Sequence, residues 1–283
     1  MNVLSLFDGM SCGQIALNRA EISYDKYYAA EVDKHAIKVT QANYPETIQM
    51  GDVTKWRDWD IDWSSIGLIM GGSPCQGFSF AGKQLAFDDP RSALFFTFVD
   101  ILNHVKSVNP DVKFLLENVR MKKEFLDVIS EKLGVEPVFI NSALVSAQNR
   151  QRYYWANWKF GAPDDQEIVL ASVLENKAAE EFYASTYLME NWNGSSKFLT
   201  SGYKSQDKKI IDGNKWCNLS AGSNDGFLKS KEGYRRITPV ECERLQTAPD
   251  NYTNHTSKTQ RYRMLGNGWT VDVIAHIFKG LKQ

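Results

Sequence analysis

Paired cysteines, a long apolar run and an excess of charge of one sign are all missing from this chain of 283 residues. Its four cysteines, at 12, 75, 217 and 242, form no Cys-x-x-Cys, which argues against a disulfide framework and against a zinc site. No metal is therefore expected, and a cysteine that matters should matter singly. No stretch approaches the roughly 18 apolar residues that a membrane span requires. The run from Met1 to Phe7 meets Asp8 with no basic leader before it, unlike a secretion signal. A cytoplasmic setting in a prokaryotic or phage-borne context is the expectation. With 33 Lys+Arg against 34 Asp+Glu the formal charge is −1, so a disordered polyelectrolyte and a collagen-like chain are excluded.

The near-zero charge is unevenly spread. Residues 1–190 hold 18 basic and 26 acidic side chains, net −8, whereas residues 191–263 hold 13 and 7, net +6. A polyanion is expected on the basic part; a solvated lobe whose lysines touch nothing explains the charge equally well.

Short apolar segments alternate with amphipathic ones through the first 160 residues. Residues 3–7, 27–32, 66–70, 114–116, 138–140 and 153–158 are expected as strands. Residues 13–20, 34–43, 92–108 and 122–133 are expected as helices, with apolar residues spaced by three and four. That alternation implies a doubly wound, mostly parallel α/β sheet, with ligands beyond the carboxyl ends of its strands. From about Pro163 the pattern degrades. Residues 191–235 are rich in Gly, Ser, Asn and Lys, interleaved with Trp192, Tyr203, Trp216 and Tyr234. Late helices are expected over 238–246, opened by Thr-Pro with Glu241 three residues on, and over 270–281. The division implied is a core α/β domain at 1–160, a small irregular lobe at 161–235, and a segment at 236–283 that returns to the first domain.

Four stretches carry chemistry. Phe7-Asp8-Gly9-Met10-Ser11-Cys12 lies between the first strand and first helix, where backbone amides approach a nucleotide-like ligand. Glu31 follows the second strand, 23 residues after Asp8, near the offset at which an acid meets ribose hydroxyls. Asp52, with Val53, falls in a third loop after a strand. Each acid taken alone is more simply a satisfied loop residue; three at successive strand ends point to a ligand. Gly71-Gly72-Ser73-Pro74-Cys75-Gln76-Gly77 places one cysteine among small residues, where a thiol is exposed and its pKa is readily lowered, although free cysteine is also common as inert packing. Glu117-Asn118-Val119 ends an apolar strand, and a carboxylate there must be hydrogen-bonded or kept protonated, with Arg120 or Arg152 as simple ion-pair partners. In Gln148-Asn149-Arg150-Gln151-Arg152, an extended chain points Arg150 and Arg152 the same way, so that one site receives both guanidiniums.

In this order the motifs resemble the DNA cytosine-5 methyltransferases over nearly the whole chain. The resemblance rests on Phe7-Asp8-Gly9, Glu31, Asp52, Pro74-Cys75-Gln76, Glu117-Asn118-Val119, Gln148 to Arg152, Arg236-Ile237-Thr238 with Glu241 and Arg244-Leu245-Gln246, and Leu265-Gly266-Asn267. Leu4 to Gly9, Leu94-Phe95-Phe96 and Leu265-Gly266 with Trp269-Thr270-Val271 are similar to the catalytic domain of animal de novo methyltransferases. Departures are Ser11-Cys12 where many bacterial members have two glycines, Thr247-Ala248-Pro249 in place of Gly-Phe-Pro, and Trp269 where a small residue is more common.

The resemblance implies a Rossmann-like, class I S-adenosylmethionine-dependent methyltransferase with double-stranded DNA as partner, and leaves open whether it accompanies a restriction endonuclease, stands alone or is phage-borne. It implies that Phe7 stacks on the donor's adenine, that Asp8 to Cys12 surround its methionine part, that Glu31 holds the ribose, and that Asp52 and Val53 meet the adenine edge. Asn267, Gly268 and Trp269 would close that pocket. Cys75 would be the nucleophile, with Glu117, Arg152 and Arg150 around the base, and residues 191–235 would read the target. Two alternatives stand beside this reading: methylation of RNA cytosine, although the Cys-Phe-Thr stretch of the transfer-RNA branch is absent, and a catalytically silent DNA-binding homologue.

Overall fold

Val3-Leu4-Ser5-Leu6, Tyr27-Tyr28-Ala29-Ala30 and Ile66–Gly71 are too apolar to leave either face of an extended chain in water, so each needs cover on both sides. The computed structural model describes residues 1–74, 93–176, 178–179, 215, 219, 227–230 and 233–282. Its first strands are β1 (Asn2–Leu6), β2 (Tyr27–Ala30), β3 (Ile48–Gln49), β4 (Ile66–Gly71), β5 (Lys113–Val119), β6 (Val138–Asn141) and β7 (Gln151–Ala156). They form one sheet in the order β3-β2-β1-β4-β5-β7-β6. Within this sheet all pairings are parallel except those of β7, which runs antiparallel to both β5 and β6.

Two compact units emerge. The first comprises Met1–Asn141, Gln151–Pro163 and Val271–Gln283; the second comprises Ser142–Arg150 and Asp164–Thr270. Residues 236–270 thus cluster with the second unit, and the final helix with the first.

The first unit carries the sheet with helices α1 (Cys12–Arg19), α2 (Lys34–Asn43), α3 (Ala93–Val108) and α4 (Lys123–Leu133). Asp33 caps α2 by accepting from the His35 amide at 2.9 Å, and Gly134, at φ 72°, ends α4. Leu4, Leu6, Ile66, Ile69, Phe95, Phe98, Phe114 and Trp155 belong to one buried apolar cluster. Trp155 satisfies its indole N–H on Ser130 Oγ at 3.0 Å.

The second unit contains a hairpin, β8 (Phe227–Ser230) with β9 (Gly233–Arg236), and helices α5 (Pro239–Leu245) and α6 (Lys258–Asn267). Thr238 and Glu241 form a capping box on α5, with Pro239 in its first turn. Glu241 and Glu243 are both fully buried. Two residues apart, they project from nearly opposite sides of the helix, and each meets its own arginine. Arg235 grips Glu241 through both terminal nitrogens at 2.6 and 2.8 Å, while Arg261 reaches Glu243 at 2.9 Å. The last helix, α7 (Val271–Lys279), packs in the first unit against α1, with Arg19 and Asp272 paired at 2.6 Å.

Most expected elements recur with ends moved by one or two residues. Phe7 is not in β1, because its φ of 60° turns the chain out of the sheet. β7 stops at Ala156, since Asn157 instead accepts from the Phe114 amide and donates to the Val112 carbonyl. The lobe expected to be irregular contains the β8–β9 hairpin; most of residues 191–235 lie outside the described residues. As a test of the core, Phe98→Ala is expected to destabilise the protein by about 3–5 kcal/mol, read as a lower urea midpoint at unchanged slope.

Candidate active site

Strand order reverses at β1, with β2 on one side and β4 on the other, so the crevice of the sheet opens beyond these carboxyl ends. The turn leaving β1 has three left-handed residues, Phe7 at φ 60°, Gly9 at 59° and Ser11 at 62°. Only glycine takes such a backbone without strain, and space is open around the Gly9 α-carbon. The Asp8 amide donates to the Ala30 carbonyl at 3.1 Å. Glu31, just past β2, accepts from the Gly9 amide at 2.8 Å through one oxygen and from the Val32 and Asp33 amides at 2.7 and 2.8 Å through the other. One carboxylate therefore ties the two loops together.

Phe7, Asp8 and Gly9 are partly exposed, whereas Met10, Ser11 and Cys12 are buried. The Asp8 carboxylate accepts from the Tyr27 hydroxyl at 2.7 Å and from Ser11 Oγ at 2.5 Å. Burial raises the Asp8 pKa to about 6, against the lowering effect of hydrogen bonds from Ser11, Ser5 and Tyr27. Asp52 is exposed and accepts from the Thr54 amide and hydroxyl at 2.9 and 2.8 Å; these bonds lower its pKa. Val53 beside it is buried.

An apolar residue that the sequence reading passed over is Val32, 71% exposed immediately after Glu31. Sequence alone hides it, because the apolar run from Tyr27 counts Val32 into the second strand, whereas β2 ends at Ala30.

At the end of β5, Asn118 donates to Ser73 Oγ at 3.3 Å, which ties this strand to the segment leading into Pro74. Cys75 lies outside the described residues. Glu117 is buried and pairs with Arg152 Nε at 2.8 Å. The register explains the contact. Arg152 on β7 is opposite Val119 on β5, so Glu117, two residues back, projects from the same face. Arg120 donates instead to Gln151 Oε1 at 3.0 Å.

Arg150 stands just ahead of β7, which begins at Gln151, and its carbonyl accepts from the Ser142 amide at 3.0 Å. Within the second unit its guanidinium donates to the carbonyls of Leu219 at 3.1 Å, Gly266 at 3.3 Å and Gly268 at 2.8 Å. Asn267 is exposed, and Gly268 and Trp269 are partly so. The Gln246 side-chain amide also donates to Gly268 O, at 3.2 Å, so the carbonyl side of this turn is held from two directions.

The sheet order and the acids at its carboxyl edge define a class I methyltransferase fold. The model of the family "C-5 cytosine-specific DNA methylase" matches residues 1–177 and 163–283. The chain belongs to that family, whose members are S-adenosylmethionine-dependent methyltransferases. It is 29% identical over 307 residues to the type II methyltransferase M1.ScrFI of Lactococcus lactis subsp. cremoris, covering 96% of this chain and 75% of the relative. It is 25% identical over 315 residues to the type II methyltransferase M.HpaII of Haemophilus parainfluenzae, covering 96% and 86%. Among solved structures, a mutant DNMT2 of Spodoptera frugiperda shares the fold at a TM-score of 0.72 and 20% identity, covering 100% of this chain and 99% of that one. No helix among the described residues is long and apolar enough to cross a membrane.

Asp8 supplies a pH test. Its folded pKa of about 6 exceeds the ordinary 3.8, so the folded state binds more protons between these values. Its contribution to stability is least favourable above about pH 6 and recovers as pH falls toward 4. Asp8→Asn is therefore expected to raise the unfolding temperature of the ligand-free protein by a few degrees at about pH 8, with the gain shrinking toward pH 5.

Proposed function

We propose that the protein is a DNA cytosine-5 methyltransferase that transfers a methyl group from S-adenosylmethionine to a cytosine turned out of a duplex. The observation that carries this reading is the buried Glu117–Arg152 pair at the carboxyl edge of β5, beside the Ser73–Asn118 contact at the entrance to Pro74-Cys75. The donor reading is supported by the open left-handed turn at Gly9, by Glu31 at the ribose-holding offset, and by the exposed Val32, which offers an apolar surface for a ring. Phe7, Asp8, Gly9, Met10, Ser11 and Cys12 would border the donor, with Asp52 and Val53 at its adenine edge and Asn267, Gly268 and Trp269 closing over it.

Carbon 5 of cytosine is a weak nucleophile. Addition of the Cys75 thiolate to carbon 6 turns the ring into an enamine, whose carbon 5 is reactive enough for alkylation. Glu117 in its protonated form donates to nitrogen 3 and passes its proton there as the thiolate adds, so the charge developing on the ring is neutralised and the carboxylate left behind is answered by Arg152. Arg152 holds Glu117 in place and stabilises the base oxygen. The donor supplies an electrophilic methyl group. Loss of the carbon 5 proton to a base or an ordered water then expels Cys75 and restores the aromatic ring. Turning the cytosine out costs a few kcal/mol in stacking and pairing, offset by contacts from the basic segment 191–235, which we assign to reading bases and phosphates. Arg150, committed to backbone carbonyls, shapes the Gly266–Gly268 turn.

Incubation with labelled S-adenosylmethionine and unmethylated DNA, followed by bisulfite sequencing, is expected to show methylcytosine in one short context. Label entering RNA alone would transfer the assignment to RNA, and no transfer with DNA binding retained would leave a silent homologue. Cys75→Ser is expected to abolish turnover while retaining donor binding. Glu117→Gln is expected to slow single-turnover methylation on the order of a hundredfold or more, with little change in donor affinity.

A further inference from the structure

A chain of hydroxyls and amides beneath the Phe7–Cys12 turn has no part in the chemistry above. Asp8 accepts through one oxygen from Tyr27 and through the other from Ser11. Ser11 Oγ in turn accepts from Gln14 Nε2 at 2.9 Å, and the same nitrogen reaches Thr47 Oγ1 at 2.8 Å. The Tyr24 hydroxyl completes the chain by donating to Gln14 Oε1 at 2.9 Å. Tyr27 is 2% exposed. Its hydroxyl lies under α1, where a β-carbon added at Gly13 would approach it to 2.9 Å, within reach of Ser5 and Ser11 as well as Asp8.

The groups facing Asp8 are Ser5 of β1, Ser11 of the turn, Tyr27 of β2, Tyr24 ahead of β2, and Glu31 beyond it, whose charge opposes ionisation. No lysine or arginine is among them. A carboxylate held by the hydroxyls of Ser5, Ser11 and Tyr27 and by no cation is a costly way to pin a turn that neutral groups would pin as well. Its orientation matters because the turn it anchors carries left-handed, strained residues at Phe7 and Ser11.

We propose that Tyr27 is a positioning residue for the methyl donor, acting through Asp8. With Ser11 it holds the carboxylate in one orientation, which keeps the turn from Phe7 to Ser11 set before the donor arrives and presents a negative charge to the cationic donor. This rests on the reading of that turn as the donor site.

The test is calorimetric titration of S-adenosylmethionine into the full chain without DNA, from about pH 5 to 8.5. In the parent protein, affinity is expected to fall as pH drops through the Asp8 transition near 6. Tyr27→Phe removes one donor to the charged form, so the midpoint moves to higher pH. Its Kd at about pH 8 rises roughly tenfold, the worth of one hydrogen bond to a charged group. In turnover assays the loss appears in the donor KM, with kcat within about twofold, since the reacting atoms keep their partners. Ser11→Ala, which removes a second of the hydroxyls that hold Asp8, is expected to shift the midpoint the same way and carries the test if Tyr27→Phe fails to fold. Variants with the parent Kd and the parent midpoint overturn the proposal. A parent protein that binds no S-adenosylmethionine at any pH overturns the donor reading itself, which is a different result.

Discussion

A buried carboxylate is tolerable only when something answers its charge, and the answer for Glu117 comes from one reversed strand. Because β7 runs antiparallel to β5, its amino end lies at the carboxyl end of β5, and Arg152 is delivered to the edge where ligands of such sheets bind. A parallel strand in that place would carry its first residues to the opposite edge. The direction of β7 is held by the core: Trp155 is buried with its N–H on Ser130, and Asn157 closes the far end on the backbone of residues 112 and 114. Breaking the pair from one side would leave the other ion buried and unpaired, which is the expensive outcome for buried ion pairs.

The second unit applies the same rule to α5. Glu241 and Glu243 are fully buried on a seven-residue helix, and each is matched by an arginine from a different element. Arg235, at the end of the β8–β9 hairpin, fixes that hairpin to α5 through Glu241. Arg261 fixes α6 through Glu243, which also accepts the amides of Asn251 and Thr253 at 2.7 and 2.8 Å. Arg150 follows another course, with three carbonyls as acceptors. Two arginines two residues apart thus serve different masters, one a carboxylate and one the backbone.

Much of the first unit was legible because its strands are apolar on both faces and its helices keep a spacing of three and four. α2 was bounded to the residue, since Asp33 caps it at one end and Pro45 follows closely at the other. β3 was not, because two residues carry no pattern. α6 was missed because its first turns, Lys258 to Arg263, are polar apart from one tyrosine, and its buried apolar residues, Met264 and Leu265, come only at its end. The acids Glu31 and Glu117 were found from their places at strand ends. Their roles as ties, Glu31 on three amides and Glu117 on Arg152, needed the register between strands. By sequence Tyr27 is a strand residue and by burial a core one; only the position of its hydroxyl under α1 points to a second task.

The central claim is that Cys75 attacks a cytosine held against Glu117 and Arg152. Duplex DNA bearing 5-fluorocytosine in the methylated context tests it most directly, because a fluorine on carbon 5 cannot leave as a proton does and the adduct cannot eliminate. With S-adenosylmethionine present, the account predicts a stable protein–DNA conjugate, with the nucleotide mapped by peptide mass spectrometry to Cys75. Conjugation at another residue, or robust methylation of ordinary cytosine with no conjugate on the fluorinated duplex, would contradict it.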